Sequence, residues 1–190
     1  MPDDSRLPLA SAIRTERLSL EPLAPETIRL LIQGQRTEAE QTAKHSFPPE
    51  FPSQDELTGF LTVQLRRMDE SPERRDWMAR LMVTHTGEVV GHCGFHGPPE
   101  LVGRAEIGYT VFERFRRRGF AREAAAALVK WAFDQGEAQV YASVSPNNLA
   151  SLALVRSLGF IEVGTQEDEV DGPELVFAIE PIEPIGPNEP

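Results

Sequence analysis

Cysteine is nearly missing from this 190-residue chain. Its single thiol, Cys93, has no partner for an internal disulfide, which fits a reducing compartment, so a cytoplasmic protein is expected. Long hydrophobic runs are missing too. The longest, Ala124 to Val129, is far short of a membrane span, and no basic start followed by an apolar stretch marks a signal peptide. No membrane partner is expected. Basic charge is scarce: 19 Lys and Arg face 30 Asp and Glu, for a net charge of −11. Affinity for nucleic acid rests on neutralising phosphates, so a general nucleic-acid binder is excluded. The acidic residues are spread along the chain, and solubility accounts for them better than attraction of a cationic substrate. Two familiar phosphate loops are absent, G-x-x-x-x-G-K-[ST] and a G-x-G-x-x-G after the first strand.

What remains is ordinary for one globular domain, with 40% hydrophobic and 26% charged residues. A chain of this length buries a core without staples. Residues 1–12, bearing Pro, Asp and Ser, are expected to be disordered, as are residues 181–190, which hold four prolines and no periodicity. Residues 13–180 then form a single domain. Arg17 to Glu21 alternates polar and apolar and reads as a strand. Pro25 opens a helix with Ile28, Leu31 and Ile32 on one face. Thr37 to Pro52 is polar, then Pro-rich, and reads as a loop. Ser53 and Glu56 form a capping box for a helix through Leu57, Phe60, Leu61 and Leu65. Ser71 to Asp76 is a charged connector. Trp77–Thr84 and Glu88–His96 pair across His85-Thr86-Gly87, and Gly97-Pro98-Pro99 breaks the sheet. A strand from Ala105 to Phe112 runs into the turn Arg116-Arg117-Arg118-Gly119, then an Ala-rich helix that Gly136 ends. Gln139–Val144 is a strand and Pro146–Leu158 a helix. Phe160–Val163 and Leu175–Ile179 close the sheet around an acidic turn, Gln166 to Gly172. The order β-α-α-β-β-β-α-β-α-β-β makes a mixed α/β fold with one principal sheet.

The strand, basic turn and helix from Ala105 to Phe133 carry the chemistry. A helix N-terminus offers unpaired N–H groups and partial positive charge, and Gly119 lets backbone approach a ligand. Arg116, Arg117 and Arg118 add cations. The stretch reads as a diphosphate cradle.

Its pattern, Arg116-x-x-Gly119-x-Ala121, resembles the acyl-CoA signature [QR]-x-x-G-x-[GA] of the GNAT superfamily of N-acyltransferases. Three further blocks follow that family's order and resemble its RimJ/RimL-type branch: Thr15-Glu16-Arg17-Leu18, Gly87-Glu88-Val89-Val90-Gly91, and Asn148-Leu149-Ala150-Ser151 with Leu158-Gly159-Phe160. Ala105-Glu106-Ile107-Gly108-Tyr109 leads into the cradle. The resemblance covers roughly residues 13–180. It implies a twisted, largely antiparallel sheet split between the fourth and fifth strands, here Ala105–Phe112 and Gln139–Val144, with helices on both faces. It also implies acetyl-CoA as co-substrate, no metal, and direct attack of a primary amine on the thioester. The pantetheine would pair with the edge at Val111, with its pyrophosphate on Arg116, Arg117, Arg118, Gly119, Phe120 and Ala121. Asn148 and Ser151 would lie near the pantetheine arm, Ser151 as proton donor to the leaving thiolate. The family's usual tyrosine acid is replaced by Val155.

Glu106 is the first candidate for a base, or for holding the substrate ammonium. A carboxylate on a central strand is costly to bury without partners or function, and pairing with an arginine is the structural alternative. Tyr109 reads as core. Arg122 would reach the 3′-phosphate of CoA or pair with Glu123 or Asp134. His92 and His96 fall about 13 Å apart on a strand, too far to share one metal. Cys93 reads as a small core residue, and Trp77 and Trp131 as core or interface. The acceptor, a protein N-terminal α-amine or a small-molecule amine, is left open, as is a homodimer through the closing hairpin. The alternative is a catalytically silent acyl-CoA-binding sensor, which would need neither Glu106 nor an acceptor pocket.

Overall fold

The computed structural model describes residues 11–168 and 172–181. The two expected disordered ends, 1–12 and 181–190, fall almost wholly outside the described residues, as does the middle of the acidic turn. Strands β1 (Ile13–Arg14), β2 (Leu18–Pro22), β3 (Arg80–Thr84), β4 (Val89–Phe95) and β5 (Ile107–Val111) form one sheet in that order, each pair antiparallel. A second sheet has the order β6 (Val140–Val144), β8 (Gly172–Ile179), β7 (Ile161–Asp168). Between β5 and β6 there is one parallel bridge, Glu106 with Tyr141, closed by a 2.8 Å bond from the Tyr141 N–H to the Ala105 carbonyl. Beyond it the strands separate. The sheet is split where the resemblance places the split; the short β1 makes these strands the fifth and sixth in chain order.

Directly opposed residues of an antiparallel pair share a face. Cys93 opposes both Arg80 and Tyr109, so these three share one face, while His92 and Thr110 share the other. Helix α5 (Phe120–Asp134) covers the first face. Its apolar positions Ala124, Ala125, Leu128, Val129 and Ala132 are buried, and Trp131 stacks 5.5 Å from Phe95 and 5.6 Å from the buried Arg80 guanidinium. Trp77 packs edge-on against Trp131 at 4.8 Å. A π-helical turn, Glu56–Leu61, and the α3 (Thr62–Glu70) that follows it lie over the opposite face, and α1 (Pro25–Ile32) packs against both. Phe60 of that turn stacks on His92 at 4.4 Å. The capping box closes in full: the Ser53 N–H donates to Glu56 at 2.7 Å, and the Glu56 N–H to the Ser53 hydroxyl at 3.2 Å.

Several local expectations change. Ile28 and Leu31 are buried, but Ile32, the last residue of α1, is 42% exposed. The expected loop at Thr37–Pro52 begins as a helix, α2 (Arg36–Ala43), whose one buried residue is Ala39. It lacks the apolar stripe that would mark a helix in sequence. Its first residue gathers the Pro-rich segment behind it, since the Arg36 guanidinium donates to the carbonyls of Phe47, Pro48 and Phe51. The connector at Ser71–Asp76 is a 3-10 turn, Pro72–Trp77. Of the turn expected at 166–172, the described residues are strand: β7 runs to Asp168 and β8 starts at Gly172. Helix α6 spans Leu149–Ser157, and a short α4 spans Pro99–Val102.

Candidate active site

The turn into α5 passes through two left-handed residues, Arg117 (φ 61°) and Gly119 (φ 83°). Gly119 is the N-cap, and no side chain caps the helix, so the first N–H groups of a 15-residue helix are left for a ligand. A Cβ at Gly119 would stand 3.2 Å from the Arg17 guanidinium, so a side chain there is both strained and crowded. Arg17 braces the turn from outside. It donates to the Arg118 carbonyl at 2.8 Å and pairs with Glu123 on α5 at 2.7 Å. Thr15 adds a second bond to Glu123 at 2.5 Å. Burial would raise the Glu123 carboxyl, but the Thr15 hydroxyl and the Arg17 N–H and guanidinium outweigh it and hold it below its ordinary value.

Of the residues expected to bind the donor, Val111, Arg116, Arg117, Gly119, Phe120, Ala121 and Asn148 line one cavity of about 530 Å³. Arg118 does not; its guanidinium lies over Phe115 at 5.5 Å and donates to the Arg114 carbonyl. Arg122 lines the cavity but bonds the Ser157 carbonyl at 3.4 Å, while Glu123 takes Arg17 and Asp134 takes Lys130. The wall of this cavity is the open edge of β5. The Glu106 carbonyl and the Phe112 N–H bond to the β4 side. Alternation therefore turns the backbone groups of Ile107, Tyr109 and Val111 toward the split, where β6 has separated. The Val111 carbonyl accepts the Arg116 Nε at 3.1 Å.

A second cavity, about 670 Å³, opens beside the first and shares Tyr109, Thr110, Asn148 and Ser151 with it. Asn148 caps α6, its side-chain oxygen accepting the Ser151 N–H at 3.1 Å. The Tyr109 ring is half-buried, packed against the core as expected, and also borders this junction. Burial pushes its phenol up, and the neighbouring Ser151 hydroxyl pulls it partly back, although no well-formed hydrogen bond closes between them. Val155 is fully buried. A further hollow of about 680 Å³, lined by Arg104 and Tyr141, lies near the bridged end of the split and touches no uncapped helix N-terminus.

Glu106 is 6% exposed and lines neither of the two joined cavities. Its Oε2 accepts Arg104 at 2.7 Å and lies 4.0 Å from His96 Nδ1. Its Oε1 is buried with no partner among the described residues. The arginine pair is the structural alternative named from the sequence; the other oxygen is left without a partner among the described residues. Gly108, two residues on, leaves room for the His96 ring over this face; a Cβ there would stand 3.3 Å from His96 Nε2.

Residues 17–161 match the acetyltransferase (GNAT) domain model. The chain belongs to the GNAT family. This acetyltransferase is 32% identical over 161 residues to the uncharacterized N-acetyltransferase p20 of Bacillus licheniformis, covering 81% of this chain and 84% of that one. Among solved structures it resembles an acetyltransferase from Agrobacterium tumefaciens, with 25% identity, a TM-score of 0.63, and 93% and 99% of the two chains covered. It shares the fold of RimL, a ribosomal L7/L12 α-N-protein acetyltransferase solved with coenzyme A, at 18% identity and TM-score 0.60, over 90% and 98% of the chains.

Two features of this GNAT site escaped the sequence. The Thr15/Arg17–Glu123 brace joins segments over a hundred residues apart. The second is a hydrogen bond of 2.7 Å between Glu56 Oε1 and His92 Nε2 in the wall of the larger cavity. Glu56 was legible as a capping residue, and nothing local says that its other oxygen has a task. His92 and His96 do not converge; each faces a different carboxylate. Cys93 is buried in the core, where burial pushes its thiol up to about 12 despite the nearby Arg80.

Proposed function

We propose that this GNAT acetyltransferase moves an acetyl group from acetyl-CoA to a primary amine by direct attack on the thioester. The observation that carries the reading is the meeting of two cavities at Tyr109, Thr110, Asn148 and Ser151. One has the attributes of a donor site: uncapped helix N–H groups, two arginines and an open strand edge. The other has room for an acceptor, and charged side chains such as Glu56 and Arg67 stand on its walls beside His92. A silent acyl-CoA sensor has no use for that second space.

In this reading the α5 N-terminus with Arg116 and Arg117 holds the pyrophosphate, and the β5 edge at Tyr109 and Val111 holds the pantetheine. The carbonyl then sits at the junction, so positioning supplies much of the catalysis. Glu106 anchors the acceptor ammonium through Oε1, reached past Gly108. Ser151 protonates the departing thiolate, with the Tyr109 phenol beside it. The RimL likeness supports a protein α-amine as acceptor; the acidic side chains Asp55, Asp168 and Glu174 suit a cationic small molecule equally.

The test is thermal shift with acetyl-CoA, CoA and NAD, followed by thiol release with an amine panel. Ligand at about 100 times Kd should stabilise the fold by about 2.7 kcal/mol. The expected result is a shift with both CoA species, none with NAD, and amine-dependent thiol release. No shift with either CoA species would remove the donor assignment.

A further inference from the structure

On the acceptor side of the cleft, Glu106, Gly108, Thr110 and His92 lie on one face of the sheet, because His92 opposes Thr110 and Gly94 opposes Gly108 in a regular register. The π-helical turn brings two of its residues onto His92: Glu56 bonds Nε2 at 2.7 Å, and Phe60 stacks on the ring at 4.4 Å. Phe51 closes a further side at 5.7 Å. The ring is 5% exposed yet lines the acceptor cavity. With Nε2 bonded to a carboxylate, that nitrogen carries the proton and Nδ1 keeps its lone pair. No hydrogen bond to Nδ1 occurs among the described residues. Glu56 stays ionised: burial would raise its carboxyl, but the bonds from His92 and from the Ser53 N–H more than offset this. The other charged groups facing this cavity are Asp55, Arg67, His96, Asp168 and Glu174, with Glu106 behind His96; only Glu56 is bonded to the ring.

We infer that His92, held in one tautomer and orientation by Glu56, takes the proton from the acceptor ammonium at Nδ1. The inference rests on the acyl-transfer reading above. An arginine-paired carboxylate is a poor match for an amine, with model values near ~4.3 and ~8–10, whereas imidazole near ~6.5 lies closer. Glu106 then binds, His92 deprotonates, and Glu56 is a positioning residue. In balance, R–NH3⁺ gives one proton to His92. The neutral nitrogen bonds to the thioester carbon, and the C–S bond breaks with its electron pair on sulfur. The second nitrogen proton reaches the thiolate through the Ser151 hydroxyl, which is left as it began. The proton on His92 goes to water.

The test is the pH profile of kcat/KM for thiol release from acetyl-CoA, read on the wild type, His92→Gln and Glu56→Gln, with the exposed His85→Gln as control and the acetyl-CoA Kd measured for each. His92→Gln should lose about 10²–10⁴-fold together with the acid-side inflection of the wild-type profile. Glu56→Gln should lose less and move that inflection to lower pH, because the carboxylate that favours imidazolium is gone. Kd should stay within about twofold. If His92→Gln does not fold, the inflection of Glu56→Gln decides alone. An unmoved inflection with less than about a threefold loss overturns the assignment while leaving acyl transfer intact. A wild type that binds acetyl-CoA but releases no thiol with any amine overturns the acyl-transfer reading and this assignment together.

Discussion

The two ends of β5 are built from different materials. At its C-terminal end the cradle we propose for the donor is mostly backbone: a helix N-terminus, a left-handed glycine and an unpaired strand edge. At its N-terminal end the groups we propose for the acceptor are mostly side chains: Glu106 with Arg104 and His96, and further along the same face His92 with Glu56. Backbone donors are the same for every sequence that folds this way, so a cradle made of them serves a constant ligand. Side chains change one at a time, so an acceptor site made of them can change its amine while the cradle stands.

The sharpest way to break this contrast is Glu106→Gln, which touches only the side-chain end. It should lower kcat/KM by about 10–150-fold, mainly by raising the amine KM, measured by thiol release, with acetyl-CoA affinity unchanged by calorimetry. A parallel loss of donor affinity would mean that the two ends are not separate. Gly119→Val attacks the other end. A β-branched residue at φ 83° against Arg17 costs about 1–3 kcal/mol. Calorimetry should show acetyl-CoA binding weakened by roughly 5–150-fold, more than any single arginine substitution there. Ser151→Ala sits at the junction and should lower kcat by about tenfold without changing Kd, since a thiolate is a tolerable leaving group without a donor.

Glu123→Gln tests the brace. It should cost about 1–3 kcal/mol at neutral pH by denaturant melts. The sign in pH comes from a carboxyl held below its ordinary value of 4.5 in the fold. Its contribution is present above that value and is lost as pH falls through the lower folded value. The wild-type and Glu123→Gln melting temperatures should therefore converge in acid. Smallest of all, Arg117→Ala should weaken CoA binding only about two- to fivefold, and less at high salt, because an exposed cation contributes about 1 kcal/mol or less.

The same contrast decides what was legible in the sequence. The cradle is contiguous, from Ala105 to Phe133, and a local pattern of β-branched strand, basic turn and Ala-rich helix announces it. So do the capping box at Ser53 and Glu56 and the Asn148 cap, which span three residues each. Helix α2 was missed because it buries only Ala39, leaving no period to read. The Glu56–His92 pair was missed because 36 residues separate its members and each has a sufficient local reason to exist. Tyr109 packs against the core as an aromatic on a central strand usually does; that it also borders the cavities depends on where β6 leaves β5, and that is a property of the whole sheet. Arg122 has acidic neighbours along the chain in Glu123 and Asp134, but Arg17 and Lys130 already hold them.

Cys93 has one more consequence. It is the chain's single thiol, it is enclosed by the core, and burial pushes it up to about 12. Disulfide dyes that colour with free CoA are attacked by an accessible thiolate, so a buried, protonated thiol should leave them uncoloured. Turnover can be followed colorimetrically at high enzyme loading without background, and a reporter cysteine introduced on the acceptor rim would be the one labelled position on an otherwise native molecule.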